Sequence, residues 1–221
     1  MLCRRRSARS QSFPGHRRRR RRPAGADLFE LDRYLSRLDE VRLSTVKADA
    51  VDRLEAIPVP TIAAIEGQAL GDITEIAVAS DARVMGDGAS LRIMRHCLAT
   101  SPAWGGGRRR PRLAGDARRL EWLAAGEILG ASEALAAGLG NRITECGQAL
   151  AEALSMARLF TANDPQAVRA VKRIVRAGEG LPPANTRRIE CELFPDLWEA
   201  EPHREASSAF IARRNHRPQP T

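Results

Sequence analysis

Leucine recurs at three- and four-residue steps in Leu28, Leu31, Leu35 and Leu38, and Val46, Val51, Leu54 and Ile57 continue the helical repeat in a second amphipathic stretch. Two helices are therefore predicted ahead of Pro58. Pro58-Val59-Pro60 stops the second one, and Thr61-Ile62-Ala63-Ala64-Ile65 is a short apolar run of the kind found in a strand buried on both faces. Gly67 ends that run. Glu75 to Ser80 reads as a short apolar helix, and Ala82-Arg83-Val84-Met85 as another strand before a Gly86-Asp87-Gly88 turn. Beyond Gly115 the pattern turns mostly helical: Leu120, Leu123 and Ala124 share a face that closes at Gly126, a suitable C-cap, and Ser132 is placed to cap the next short helix. Asp164-Pro165 forms an N-cap and N1 pair for a helix running to Arg176, with Gly178 just past its end, and the last sixty or so residues read as further helices.

The first residues break this pattern. Residues 1–23 are basic, of low complexity and almost without large apolar side chains, so they cannot bury enough surface to offset the entropy of ordering them. A disordered Arg-rich tail is expected there. The formal charge of +9 on 221 residues belongs largely to this tail, since Arg4 to Arg6, Arg9 and Arg17 to Arg22 outnumber the excess, and the rest is close to neutral. Lysine occurs only at Lys47 and Lys172 among abundant arginine, which has the look of coding bias rather than of a phosphate-binding surface. No aromatic residues interleave with the arginine run as stacking platforms would require, so no nucleic-acid partner is expected.

Cys3, Cys97, Cys146 and Cys191 are widely spaced with no CxxC pair, and the histidines show no ligand spacing around them, so neither a metal site nor a disulfide framework is indicated. No apolar run approaches the roughly 20 residues needed to span a bilayer, and no apolar stretch follows the charged start. A soluble, cytoplasmic protein with no membrane partner is expected.

Certain residues carry more than periodicity. The segment from Ile57 through Pro58, Ile62-Ala63-Ala64, Gly67 and Ala69-Leu70-Gly71 resembles the P-x-I-A-A-x-x-G-x-A-L-G-G-G strand and loop of the enoyl-CoA hydratase/isomerase (crotonase) family, and Asp81 falls on that pattern's aspartate. Ala24-Gly25-Ala26-Asp27-Leu28 resembles the family's A-G-A-D-[LI] loop. Pro102 with Gly105-Gly106, Arg109, Pro111-Arg112-Leu113 and Gly115 resembles a third motif. The likeness continues through Ala131-Ser132-Glu133-Ala134, Gly138-Leu139, Lys172, Glu190 to Phe194, Glu205 and Ala209-Phe210, so it covers roughly residues 24 to 215. A glycine-rich loop after a strand is weak alone; the order and spacing of the pieces make the signal specific.

The resemblance implies an α/β fold, a crotonase-like spiral of ββα turns with a helical C-terminal trimerisation region. It divides the chain into the tail at 1–23, a spiral core at 24–126 and a helical region at 127–221. Family members carry a longer stretch with the first strands of the spiral before the A-G-A-D motif, so an N-terminally shortened or divergent member is expected. It further implies acyl-CoA thioester substrates, no cofactor beyond the coenzyme A of the substrate, and a homotrimer or hexamer. Stripes such as Leu150, Leu154, Ala157 and Leu159, which one small domain can hardly bury alone, agree with assembly.

Adding water to an enoyl thioester, or shifting its double bond, builds negative charge on the thioester oxygen, and backbone N–H groups aimed at that oxygen stabilise it. By the resemblance these N–H groups belong to Ala26 and Asp72, with Ala24, Asp27, Leu28, Phe29 and Gly71 around the substrate. Asp27 is equally suited to capping a helix. Glu75 matches the glutamate after the glycine triplet and is the candidate acid/base residue; its alternative role is that of an acid favoured at a helix N-terminus. Asp72 and Ile73 stand where the family has glycines, bringing a Cβ and a charge to the loop. The second family glutamate falls on Arg95, within the stretch from Leu91 to Ser101 that fits least well. Neighbouring His96 is a weak candidate to replace it, and Glu121 is adequately explained by a surface ion pair with Arg118. Three functions fit the sequence to different degrees: an enoyl-CoA hydratase/isomerase-like enzyme whose activity Asp72 and Arg95 would impair, an inactive relative that keeps acyl-CoA binding or assembly, and a basic nucleic-acid binder resting on Arg17 to Arg22 alone.

Overall fold

The protein is described here from a computed structural model, covering residues 36–92, 115–180 and 182–215. Helix α1 (Arg37–Glu55) starts where the Ser36 side chain accepts a hydrogen bond from the Asp39 N–H at 3.1 Å. It is one continuous helix through Leu38, Val46 and Leu54, so Leu38 and Val46 do not belong to separate helices. Most of the first predicted helix lies outside the described residues.

Strand β1 (Ile62–Ile65) is followed at once by β2 (Gln68–Leu70), helix α2 (Asp72–Ala79), β3 (Ala82–Gly86) and β4 (Ser90–Arg92). After helix α3 (Gly115–Ala125) come β5 (Leu129–Gly130), helix α4 (Ala131–Ala136) and β6 (Arg142–Thr144). Two strands and a helix thus form the repeating unit, and the two strands of each unit go to different sheets. One sheet runs β1-β3-β6, parallel throughout, with Ile62 opposite Ala82 and Val84 opposite Arg142. The other runs β2-β4-β5, with β2 and β4 parallel and β5 antiparallel. This is the α/β arrangement of stacked ββα turns.

Burial is deepest at β3. Ala82 and Val84 face helix α5 (Ala149–Thr161) through Ala149, Ala153 and Met156, while Met85, on the opposite side, joins the main core of Ile65, Ala69, Ala77, Leu91, Leu129, Ala134 and Leu139. The expectation that β1 is buried on both faces is not met, since Ala64 is exposed and β1 is an edge strand of its sheet among the described residues; the strand buried on both faces is β3. Arg83, also on β3, is 1 % exposed, and its guanidinium donates to the carbonyls of Leu139, Ala77 (3.1 Å) and Ser80 (2.7 Å). It thereby satisfies carbonyls that the end of α2 leaves without helical partners.

Glycine and capping chemistry set several boundaries. Gly126 ends α3 with φ 65°, the left-handed conformation expected of a glycine at that place. Gly130, rather than Ser132, is the N-cap of α4; its N–H donates to the Glu133 carboxylate at 2.8 Å and leaves Ser132 inside the helix. Asp164 caps helix α6 (Pro165–Gly180) through the N–H groups of Gln166 (3.0 Å) and Ala167 (2.9 Å). That helix continues through Gly178, which ends nothing, because Pro182 just beyond is the stronger stop. Helices α7 (Pro183–Glu199) and α8 (Glu201–Asn215) complete the chain's helical end. Since β5 and β6 still belong to the two sheets, the purely helical part begins at Ala149.

Candidate active site

The residues singled out in the loop after β2 come together at the start of α2. Gly71 adopts φ 56° and ψ −118°, a conformation that L-residues with a Cβ rarely take, and this kink turns the chain from β2 into the helix. An added Cβ at Gly71 would meet nothing within 4 Å, so the demand for glycine is conformational rather than one of space. Asp72, by contrast, is the first residue of α2 and has ordinary helical geometry. The concern that aspartate would strain a glycine position is thus removed: the strained position is the preceding one, which remains glycine. Ile73 uses the other lost glycine for packing, lying partly buried against the main core.

A hydroxyl holds this turn. Thr74 is 3 % exposed; its Oγ1 donates to the Ala69 carbonyl at 2.6 Å, lies 3.0 Å from the Arg92 carbonyl and accepts from the Arg92 N–H at 3.3 Å. The Gly71 N–H donates to the same Arg92 carbonyl at 2.8 Å, and the Arg92 guanidinium reaches the Gly126 carbonyl at 2.8 Å. Both ends of the turn are therefore tied to the last residue of β4. Neither Thr74 nor Arg92 stands out in the sequence, because a threonine inside a helix and an arginine on a strand look ordinary until their partners 18 residues away are known.

Asp72 and Glu75 are both in the first turn of α2, and both are buried, Glu75 with no exposed surface at all. Residues three apart on a helix share a face, and the first N–H groups of a helix have no acceptor within it. The positive end of α2 therefore supports two buried carboxylates on one side. Facing them from α1, Lys47 Nζ lies 4.0 Å from Asp72 Oδ2. The arrangement offers a proton acceptor or donor at Glu75 and N–H donors at the helix start, which is what chemistry beside an anionic oxygen requires. Ala24, Ala26, Asp27, Leu28, Phe29, Arg95 and His96 lie outside the described residues.

Asp81 is a junction rather than part of this turn. Its carboxylate accepts from the Thr61 N–H (2.7 Å) and hydroxyl (2.9 Å), from Lys172 Nζ (2.7 Å) and from Arg176 Nη2 (2.7 Å), while Arg176 Nη1 also bonds Glu55 at 2.8 Å. Burial pushes the Asp81 carboxyl up, but the hydrogen bonds from Lys172 and Thr61 and the nearby Arg176 charge more than offset it, so its pKa ends below the ordinary value. Two matched positions 91 residues apart, Asp81 and Lys172, thus meet in space. Glu66 is a second long-range tie, its carboxylate accepting from the Gly147 and Ala149 N–H groups at the start of α5. Among the described residues no cluster of three His, Cys, Asp or Glu side chains could hold a metal ion, and no helix is long and apolar enough to cross a membrane.

The stacked ββα turns place the chain in a class of α/β proteins whose strands are shared between two sheets and joined by helices. Residues 23–218 match the enoyl-CoA hydratase/isomerase family, and the chain belongs to that family, the crotonases. It is 29% identical over 192 residues to an enoyl-CoA hydratase of Bacillus subtilis, covering 86% of this chain and 74% of that protein. A mitochondrial methylglutaconyl-CoA hydratase of Rattus norvegicus is 33% identical over 195 residues, with 86% of this chain and 62% of the relative covered. The crystal structure of an enoyl-CoA hydratase from Bacillus anthracis superposes with a TM-score of 0.81 at 29% identity, over 86% of this chain and 73% of the other.

Proposed function

We propose that the protein binds acyl-CoA thioesters and catalyses hydration or double-bond isomerisation of enoyl-CoA, with Glu75 moving the proton. The observation that carries this reading is the placement of Glu75, fully buried one turn into the helix that follows the Gly71 kink. In hydration, Glu75 takes a proton from water as the water oxygen bonds to the β-carbon; the π electrons move toward the thioester, and the resulting enolate oxygen is held by the N–H groups of Asp72 and Ala26. The α-carbon is then protonated. With Arg95 at the second glutamate position, Glu75 is left to return the same proton it removed, and in isomerisation it would carry a proton between two carbons of the acyl chain.

The second reading, an acyl-CoA-binding relative without turnover, is favoured by the acid at residue 72 beside the developing negative charge and by Arg95. Crotonyl-CoA turnover together with calorimetric binding of butyryl-CoA separates the two. Loss of absorbance from the conjugated thioester with a dependence on Glu75 supports the enzyme, whereas binding without turnover supports the inactive relative. No binding of either thioester at millimolar concentration would overturn both. Assembly as a trimer or a dimer of trimers and a cytoplasmic location belong to the same proposal, the first supported by the exposed Leu150, Leu154, Leu159, Phe194, Trp198 and Phe210.

A further inference from the structure

We propose that Lys47 is a positioning residue of the thioester site, the countercharge that lets an aspartate occupy residue 72 without forfeiting the stabilisation of an anionic thioester oxygen. The inference rests on the reading of this site as one that takes an acyl-CoA. It starts from composition: of the 36 lysines and arginines only Lys47 and Lys172 are lysine. Each faces an aspartate of another element, Lys172 at 2.7 Å from the half-buried Asp81 and Lys47 at 4.0 Å from the buried Asp72. Lysine is a compact, mobile point charge, whereas arginine holds a rigid planar fork. At a place where a carboxylate must be neutralised without a fixed bidentate geometry, lysine is the better fit.

The surroundings call for such a charge. Asp72 and Glu75 place two carboxylates in one helical turn, 8 % and 0 % exposed, and the same turn presents the N–H group assigned to the thioester oxygen. As that oxygen gains charge in the enolate and Glu75 takes up the proton, a negative centre develops beside the Asp72 carboxylate. The helix N-terminus offsets part of this, but only about half a unit charge. Lys47 reaches Asp72 from α1, a separate helix packed against α2 where Val51 and Leu54 meet Ala79, and its side chain keeps 25% exposure. A flexible ammonium carried on one helix and facing the acid of another can offset the Asp72 charge while the neighbouring substrate oxygen becomes anionic. The pair is therefore expected to matter for the anionic form of a ligand and much less for a neutral one.

Two thioesters of equal chain length separate those forms. Acetoacetyl-CoA ionises to an enolate with its charge shared by the thioester oxygen, and this enolate has its own near-ultraviolet absorbance; butyryl-CoA stays neutral. Binding of both is measured between about pH 6 and 9 for the wild-type chain, Lys47→Met, Lys47→Arg, Asp72→Asn and the double variant Lys47→Met with Asp72→Asn. Loss of a close countercharge near a protein surface is expected to weaken enolate binding by about tenfold or more, and to move the onset of the enolate band to higher pH. Butyryl-CoA binding changes by less than about threefold, Lys47→Arg retains most of the enolate affinity, and the double variant recovers it, because removing the acid removes the need for its partner. If Lys47→Met does not fold, Lys47→Gln takes its place in the same cycle. Equal weakening of both ligands, or a loss that persists in the double variant, overturns the proposal and makes Lys47 a packing residue. If the wild-type chain binds neither thioester, the acyl-CoA reading itself has failed, and the countercharge role falls with it.

Discussion

Lys172 and Asp81 stand 2.7 Å apart although 91 residues separate them, and Arg176, one turn further along α6, grips the other carboxylate oxygen. This contact joins α6, the second helix of the helical C-terminal part, to the turn between α2 and β3, and through Thr61 to the start of β1. The end of α2 and the helical end of the chain are thus tied to one another by charge.

Breaking this junction should cost stability in a pH-dependent way. Replacing Asp81 by asparagine leaves Lys172, only 8% exposed, and Arg176 without their carboxylate, a loss expected to be about 2 to 4 kcal/mol in chemical denaturation at pH 7. The folded-state pKa of Asp81 lies below its ordinary value of 3.8. Its contribution is therefore fully present above that value and disappears as the pH falls through the folded pKa. The difference in unfolding free energy between wild type and Asp81→Asn should be constant from pH 5 to 7 and shrink below about pH 4; a difference that does not change on acidification would contradict the assignment.

Thr74→Val keeps the shape of the side chain but removes the hydroxyl that joins Ala69 to Arg92. Leaving buried backbone groups without that partner should destabilise by about 1 to 3 kcal/mol. Because the same hydroxyl ties Ala69 to Arg92 across the turn that leads into Asp72, the proposed acyl-CoA turnover should fall by more than the folded fraction does. Activity that merely tracks stability across a temperature series would assign Thr74 to the fold alone.

The helical end carries its own expectation. Leu150, Leu154, Leu159, Phe194, Trp198, Phe210 and Ile211 are all more than half exposed on the single chain, which leaves large apolar side chains available for contacts between copies. Light scattering should give a trimer or a dimer of trimers at micromolar concentration. Leu154→Glu or Phe210→Glu should shift the mass downward if these faces are the contacts, and a monomeric wild type would remove this assembly.

Legibility in the sequence followed the range of the interactions involved. Asp164, Gly126 and the apolar run at Ala82 to Met85 could be read because caps, left-handed ends and buried strands depend on residues close by in the chain. The edge position of β1 could not, since period-two burial says nothing about which neighbour a strand will have. Ser132 misled because Gly130 and Glu133 close a capping arrangement that outcompetes it. At the site, Gly71, Asp72 and Glu75 were visible as a motif, whereas Lys47, Thr74 and Arg92 act through contacts between 18 and 25 residues apart or across helices, and only the folded chain brings them together.

Glu75 carries the decisive prediction. Glu75→Gln preserves size and hydrogen bonding but cannot accept the proton of water, so crotonyl-CoA hydration should fall by about 10² to 10⁴, to the level of background. Wild-type turnover is itself expected to be slow, because on the proposed assignment Arg95 stands at the second acid position, and one missing general acid/base group costs about 10² to 10⁴. Restoring Arg95→Glu together with Asp72→Gly should raise turnover, though less than the product of the two separate gains, since groups that act as one catalytic unit do not combine multiplicatively. Binding of butyryl-CoA should be nearly unchanged in Glu75→Gln, which separates a lost proton transfer from a collapsed site. A Glu75→Gln variant that hydrates as fast as the wild type would show that the proton is carried elsewhere, and His96 would be the next residue to replace.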